Sequence, residues 1–280
     1  MSQPGPTAYR VLLGRELKNL RDQAGVNRET VATHLGWDLS KVSRLENGQI
    51  TLKAAEVDAL LELFGAADEI AEEIREAGRH ARKRGSYGKV PDWSRQYFGL
   101  EQDASSLKLY MNELVPGIFQ TEDYARALLS TSVTIAPADL DKVIEARMRR
   151  QALLNRDNPP TFHLILGETV LHQEVGGKAV LQAQLTRLIT LAKQPNITIQ
   201  VMPFSAGQHP AQGTTFTLLT VGIGAEPTTW ACIETLTKLD CQPEPGHVRV
   251  YELVFDRVAI NALGERESLT RIRQARDALN

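Results

Sequence analysis

The sequence predicts two domains, an all-α N-terminal domain of four to five helices followed by an α+β domain. Three observations carry this. Apolar residues recur at helical spacing between short turns across residues 1–84. From residue 93 onward, helical patterns mix with runs of period-two alternation. Between them Gly85–Asp92 (GSYGKVPD) gathers two glycines and a proline, the composition of a linker. The expected boundaries are therefore 1–84, 85–92 and 93–280.

The N-terminal helices follow in order. Leu13, Leu17, Leu20 and Ala24 step by four, three and four, and Gly25 is the stop. Asn27 caps a short second helix that Gly36 ends. A third spans Leu39 to Glu46 and closes at Asn47-Gly48. A fourth carries Val57, Leu60, Leu61 and Phe64 on one face before Gly65. A fifth, over residues 68–84, uses Ile70, Ile74 and Ala77. It begins with Asp68, Glu69, Glu72 and Glu73 and ends with Arg79, Arg82, Lys83 and Arg84, an order that suits the helix dipole.

In the second half, Glu122–Leu129 and Pro137–Asn155 read as helices, the latter with Leu140, Val143, Ile144 and Met148 on one face. Thr161–Leu166 and Ile197–Met202 read as strands, with a helix over Lys178–Lys193 between them. Thr215–Val221 and Thr229–Glu234 are further strands around a loop at Gly224-Ala225-Glu226-Pro227. Helices at 247–262 and 268–279 close the chain. The class is α+β, with α/β the alternative, around a sheet of about four strands.

Composition narrows the function. The 280 residues carry 32 basic and 34 acidic side chains, a net charge of −2, so a nucleic-acid contact has to come from a local patch. Residues 1–55 provide one, with eight basic and five acidic side chains, whereas residues 56–76 hold eight acids and a single Arg75. No apolar run has membrane-spanning length, and the N-terminus lacks the pattern of a signal peptide. Cys232 and Cys241 are too few for a disulfide framework and have no metal-site company. A reducing, cytoplasmic setting without a membrane partner is expected.

The segment Arg28–Leu45 is the most informative. Ala32 is small where helix 2 must let helix 3 approach, and Gly36 stands where the turn needs a positive φ. Val31, Leu35, Trp37, Val42 and Leu45 are apolar on the packing side, while Ser40, Lys41, Ser43 and Arg44 point outward. Cations reach phosphates or guanine edges, and small hydroxyl residues let a helix approach the major groove.

The run GVNRETVATHLGWDLSKVSRLENG resembles the helix-turn-helix of XRE-family bacterial and phage regulators. The resemblance implies that Arg28, Leu39, Ser40, Lys41, Ser43 and Arg44 meet DNA, with Asn47 on phosphate. Leu39 stands where the family often has a polar residue, so it meets a thymine methyl or reads nothing. The resemblance also implies a structural ion pair between Arg21, four residues before Gly25, and Glu46. The partner implied is a double-stranded operator bound by a homodimer.

A second resemblance lies in VPGIFQTEDYARALL (115–129), EARMRRQALL (145–154), Glu168, QLTRLITLAKQPNITIQVMPFSAGQHP (184–210), Gly213 and Phe216. These are similar to the WhiJ-like domain of unknown function that follows such a helix-turn-helix in actinobacterial regulators. It implies a C-terminal half that receives a small-molecule effector or a small companion protein from a neighbouring gene. The alternative is an antitoxin-like adaptor that binds DNA for autoregulation. Gln120, Thr121 and Tyr124 follow the Pro116-Gly117 turn and would present polar groups near a pocket. Arg147 and Arg150 share a helix side and could hold a carboxylate, from a ligand or partner, or from a structural acid such as Glu168.

No catalytic constellation emerges, and neither an enzyme nor a cofactor or metal is expected. His34, His80, His163, His172, His209 and His247 form no HxxxH or HExxH pair. Glu168 and His172, four apart, read as a surface hydrogen-bonded pair.

Overall fold

The computed structural model describes residues 5–83, 94–222 and 227–279. Arg84 at the basic helix end, the Gly85–Asp92 linker and the loop residues Gly224, Ala225 and Glu226 lie outside the described residues. Contacts divide the chain into two units. The first holds the N-terminal helices with Gln96–Asp103 and Val221–Thr228; the second holds Ala104–Thr220 and Thr229–Asn280.

The first unit contains α1 (Pro6–Gln23), α2 (Arg28–Leu35), α3 (Leu39–Glu46), α4 (Ala54–Phe64) and α5 (Asp68–Ala81). Asn27 caps α2 by accepting the Thr30 N–H, and Gly36 ends it with φ +64°. Leu13, Leu17, Val31, Val42, Leu45, Leu60 and Ile74 form the shared core. Gly14 is what lets α1 lie against the end of α3. A Cβ there would sit 2.3 Å from the Leu45 carbonyl oxygen and 3.0 Å from that of Glu46. Gly48, at φ +63°, makes the reciprocal approach to the Val11 backbone. A further helix, α6, runs over Arg95–Asp103.

The second unit is built on a six-stranded mixed sheet rather than the expected four strands. Its strands are β1 (Ala104–Met111), β2 (Thr161–Gly167), β3 (Ile197–Met202), β4 (Phe216–Val221), β5 (Thr228–Glu234) and β6 (Leu239–Gln242), in the order β3-β2-β1-β4-β5-β6. β1, β2 and β3 are parallel, with Leu109 opposite Leu164 and Leu164 opposite Ile199; β5 and β6 are antiparallel. The additions are β1 and β6. β1 starts directly after α6 with no glycine or proline to mark the change, and β6 is only four residues long.

Side-chain alternation separates two faces. Tyr110, Ile165, Met202, Phe216 and Ala231 pack with Val248, Phe255 and Val258 of α10 (Pro245–Asn261). Phe162, on the other side of β2, meets Phe119 edge-to-face with centroids 5.5 Å apart. The remaining helices are α7 (Glu122–Ser130), α8 (Leu140–Arg150), α9 (Lys178–Leu191) and α11 (Glu265–Asp277). Residues 137–155 are helical as expected, with 3-10 turns at both ends of α8. Cys232 and Cys241 stand directly opposite across β5 and β6 and form one disulfide. Two cysteines make no framework, but the hairpin register brings their Cα atoms to 4.1 Å, a juxtaposition that composition does not reveal. This corrects the expectation of reduced thiols.

Gly14→Ala is expected to destabilise the first unit by about 1–3 kcal/mol, because an overpacked methyl must push α1 from backbone that cannot yield. Urea unfolding of the variant checks this; an unchanged midpoint would contradict the close approach.

Candidate nucleic-acid interface

α3 begins at Asp38, which accepts the Lys41 N–H at 2.6 Å and the Ser40 hydroxyl at 2.6 Å. The Ser40 hydroxyl first, then the Lys41 amide, holds the Asp38 carboxyl below the usual carboxylate range. From this start the eight residues split by face. Val42, Leu45 and Glu46 are buried, whereas Leu39, Ser40 and Arg44 are exposed, Leu39 to 49%. Ser43 and Asn47 are half-buried at the margin. The Arg44 Nε donates to the Ser40 carbonyl at 3.3 Å, which lays the side chain along the exposed face. Lys41 turns aside: its Nζ is 3.8 Å from the Trp37 ring centroid and 3.7 Å from Glu56.

Beneath this face lies a carboxylate shared by two cations. Glu46 has a side chain only 4% exposed. Arg21 Nε donates to its Oε1 at 2.7 Å, and Arg28 donates to Oε2 from Nε at 2.9 Å and Nη2 at 2.7 Å. Arg21 also donates to the Val26 carbonyl at 2.9 Å. Helices α1, α2 and α3 are thus joined through one side chain. Burial disfavours the Arg21 charge, but the Glu46 hydrogen bond and charge outweigh it and raise its pKa. Arg28, assigned to DNA by resemblance, spends its fork on Glu46 while its side chain stays 44% exposed.

Residues 12–74 match the helix-turn-helix domain family HTH_31, which spans all of α2 and α3. Residues 94–274 match the family described as a domain of unknown function, DUF5753. The chain belongs to the DUF5753 family. No match was found among curated proteins or among solved structures.

In this DUF5753 domain the Gly117–Thr121 segment is held by a polar network. Gln120 is buried; its Nε2 donates to the Val115 carbonyl at 2.7 Å and its Oε1 accepts from Arg147 at 2.7 Å. The Phe119 carbonyl accepts from Gln184 and Arg187, the Gln120 carbonyl from Gln151, and the Thr121 N–H donates to Gln184. Thr121 caps α7, and the Tyr124 ring is buried with its hydroxyl pKa raised by that burial. Arg150 lies one turn beyond Arg147 on α8; burial raises the pKa of Glu234, and the charges of Arg147 and Arg150 oppose that rise without cancelling it.

Glu168 stands apart from this set. The expected surface pair with His172 is not found: Glu168 is 6% exposed, accepts the Phe204 N–H at 2.7 Å and pairs with Arg271. His172 stacks on Phe204 instead. Burial works against the Glu168 charge, but the Phe204 amide and Arg271 outweigh it and lower its pKa. Sequence reading missed Asp38, Gln151, Gln184, Arg187 and Arg271. Only Asp38 carries a local signal, an Asp immediately before the first helical turn. Among the described residues no three His, Cys, Asp or Glu side chains gather as a metal site, and no helix is long and apolar enough to cross a membrane.

Two outcomes follow from these carboxylates. Glu46→Gln leaves the Arg21 charge without its main partner and should lower first-unit stability by about 2–3 kcal/mol, somewhat less than a fully buried pair because Arg28 reaches solvent. Chemical denaturation with helicity as readout measures it, and a loss below experimental error would refute the shared-carboxylate account. Glu168→Gln should cost about 1–2 kcal/mol at pH 7, discounted for the part-exposed Arg271. Because the folded pKa of Glu168 is depressed, its contribution is present above the ordinary value of about 4.3 and is lost as pH falls through the lower folded value. The variant should therefore show a flatter acid limb in stability-versus-pH curves; parallel limbs would exclude this role.

Proposed function

We propose that the protein is a sequence-specific transcriptional regulator of XRE type that acts in the cytoplasm as a homodimer. The observation that carries the reading is the division of α3: Val42, Leu45 and Glu46 anchor it inward while Leu39, Ser40 and Arg44 remain at the surface. Arg44 is the base-reading cation, Ser40 and Ser43 permit close approach, and Leu39 contacts a thymine methyl. Arg28, Lys41 and Asn47 are assigned to the phosphate margin. Two copies on a two-fold operator place their reading helices in successive major grooves about one turn apart.

The DUF5753 domain is assigned the receiving role, for a small-molecule signal or a small partner protein. The assigned groups are Gln120, Thr121, Tyr124, Arg147 and Arg150 around the held turn, with Glu168 at the end of β2. A signal there alters DNA affinity only through different affinities for the two states of the regulator.

DNA fragments retained by the full chain, once sequenced, provide the operator for fluorescence anisotropy. Arg44→Ala should lose specific affinity by about 1–3 kcal/mol, the worth of one base contact, with helicity unchanged. Equal affinity and equal sequence preference for variant and parent would overturn the assignment.

A further inference from the structure

The chain has two cysteines, and both lie in one hairpin at the edge of the sheet. Cys232 of β5 and Cys241 of β6 are register partners, and they are 3% and 2% exposed. Ala231 and Ile233 of β5 pack toward α10, so the bridge lies on the opposite face. β6 ends the strand order and is four residues long; among the described residues β5 is its only strand neighbour.

The bridge has little to do as a staple. It joins residues nine apart in sequence, a segment that the hairpin turn closes by itself. There the Thr235 N–H donates to the Lys238 carbonyl at 2.8 Å, and the Lys238 N–H donates to the Thr235 hydroxyl at 3.2 Å. Cross-linking so short a loop removes little chain entropy compared with joining distant segments. Nor does this unit lack a core, since Leu107, Leu164, Leu185 and Leu188 are fully buried. In a thiol-rich cytoplasm, a disulfide without a stapling duty belongs to the transient, redox-sensing kind.

We infer that Cys232–Cys241 is a reversible thiol switch, which pins β6 to β5 when oxidised and lets it open when reduced. The inference rests on the cytoplasmic placement proposed above and gives this domain a second kind of input, oxidation state. Opening uses a low-molecular-weight thiol. Its thiolate attacks one sulfur, forms a mixed disulfide and releases the other cysteine as a thiolate that takes up a proton. A second thiol then displaces the first cysteine, so two external thiols become one external disulfide and two electrons pass to the chain. Closing runs the same exchanges backward, with an external disulfide as the oxidant. Because both sulfurs are covered, exchange proceeds through fraying of β6, which is held by strand pairing from one side. The Thr235–Lys238 bonds keep the opened strand beside β5, so the two thiols meet again. The sequence holds no third cysteine to divert either of them.

Incubation of the native full chain with glutathione, followed by alkylation and mass spectrometry, tests the switch, with circular dichroism as the fold control. Millimolar reduced glutathione should leave both cysteines open to alkylation with helicity unchanged, and oxidised glutathione should restore the bridge. Amide hydrogen exchange at Leu239–Gln242 should be at least about tenfold faster in the reduced chain than in the oxidised one. The double variant C232A/C241A should exchange like the reduced chain in either buffer. A bridge that opens only in denaturant would mark a permanent staple and overturn the inference, as would a chain that stays reduced in oxidised glutathione. Equal exchange of β6 in the two states, or slow exchange in the double variant, would overturn the pinning. Neither readout involves DNA. A failure here therefore leaves DNA binding to the Arg44→Ala comparison, and a failure there leaves the switch standing.

Discussion

A single buried carboxylate organises the N-terminal unit. Glu46 closes α3, and both of its oxygens are taken by guanidinium groups from other helices, Arg21 of α1 and Arg28 of α2. An eight-residue helix has too few backbone hydrogen bonds to persist by itself. Its position has to come from tertiary contacts, and here a hydrophobic side and a charge clamp act at the same end. The Asp38 cap defines the other end. Between these points the side chains of Leu39, Ser40 and Arg44 lie outside the core, so packing does not dictate their chemistry.

Close backbone approach is the second constraint, and it works with the first. Gly14 admits the Leu45 and Glu46 carbonyls against α1, and Gly48 admits the Val11 backbone. Without that proximity Arg21 could not span to Glu46 at hydrogen-bond length. The glycines and the ion pair are therefore parts of one device. The glycines set the distance and the charges set the angle.

How far the fold was legible follows from the range of the interactions. The limits of α2 and α3 are written in residues beside them, Asn27, Gly36, Asp38 and Asn47, and reading them needs no knowledge of the rest of the chain. Strands β2 and β3 announce themselves by alternation between breakers. β1 does not, because α6 runs into it without punctuation and its place in the sheet depends on β2 and β4, remote in sequence. The same holds for the sites. The outward set on α3 is a matter of helical phase, whereas the Glu168–Arg271 pair joins groups 103 residues apart, and the Phe119–Gln120 carbonyls are claimed by α9 and by the turn after α8. Nothing near those residues in the chain reveals such partners.

The held turn bears on the receiving role proposed for this domain. Its carbonyl and amide groups are already engaged by Arg147, Gln151, Gln184 and Arg187, which belong to α8, the turn that follows it, and α9. An incoming molecule that wants those same groups has to displace the helices' own side chains from them. On the proposed receiving role, occupancy of the turn and loosening of the helical layer would be a single thermodynamic step.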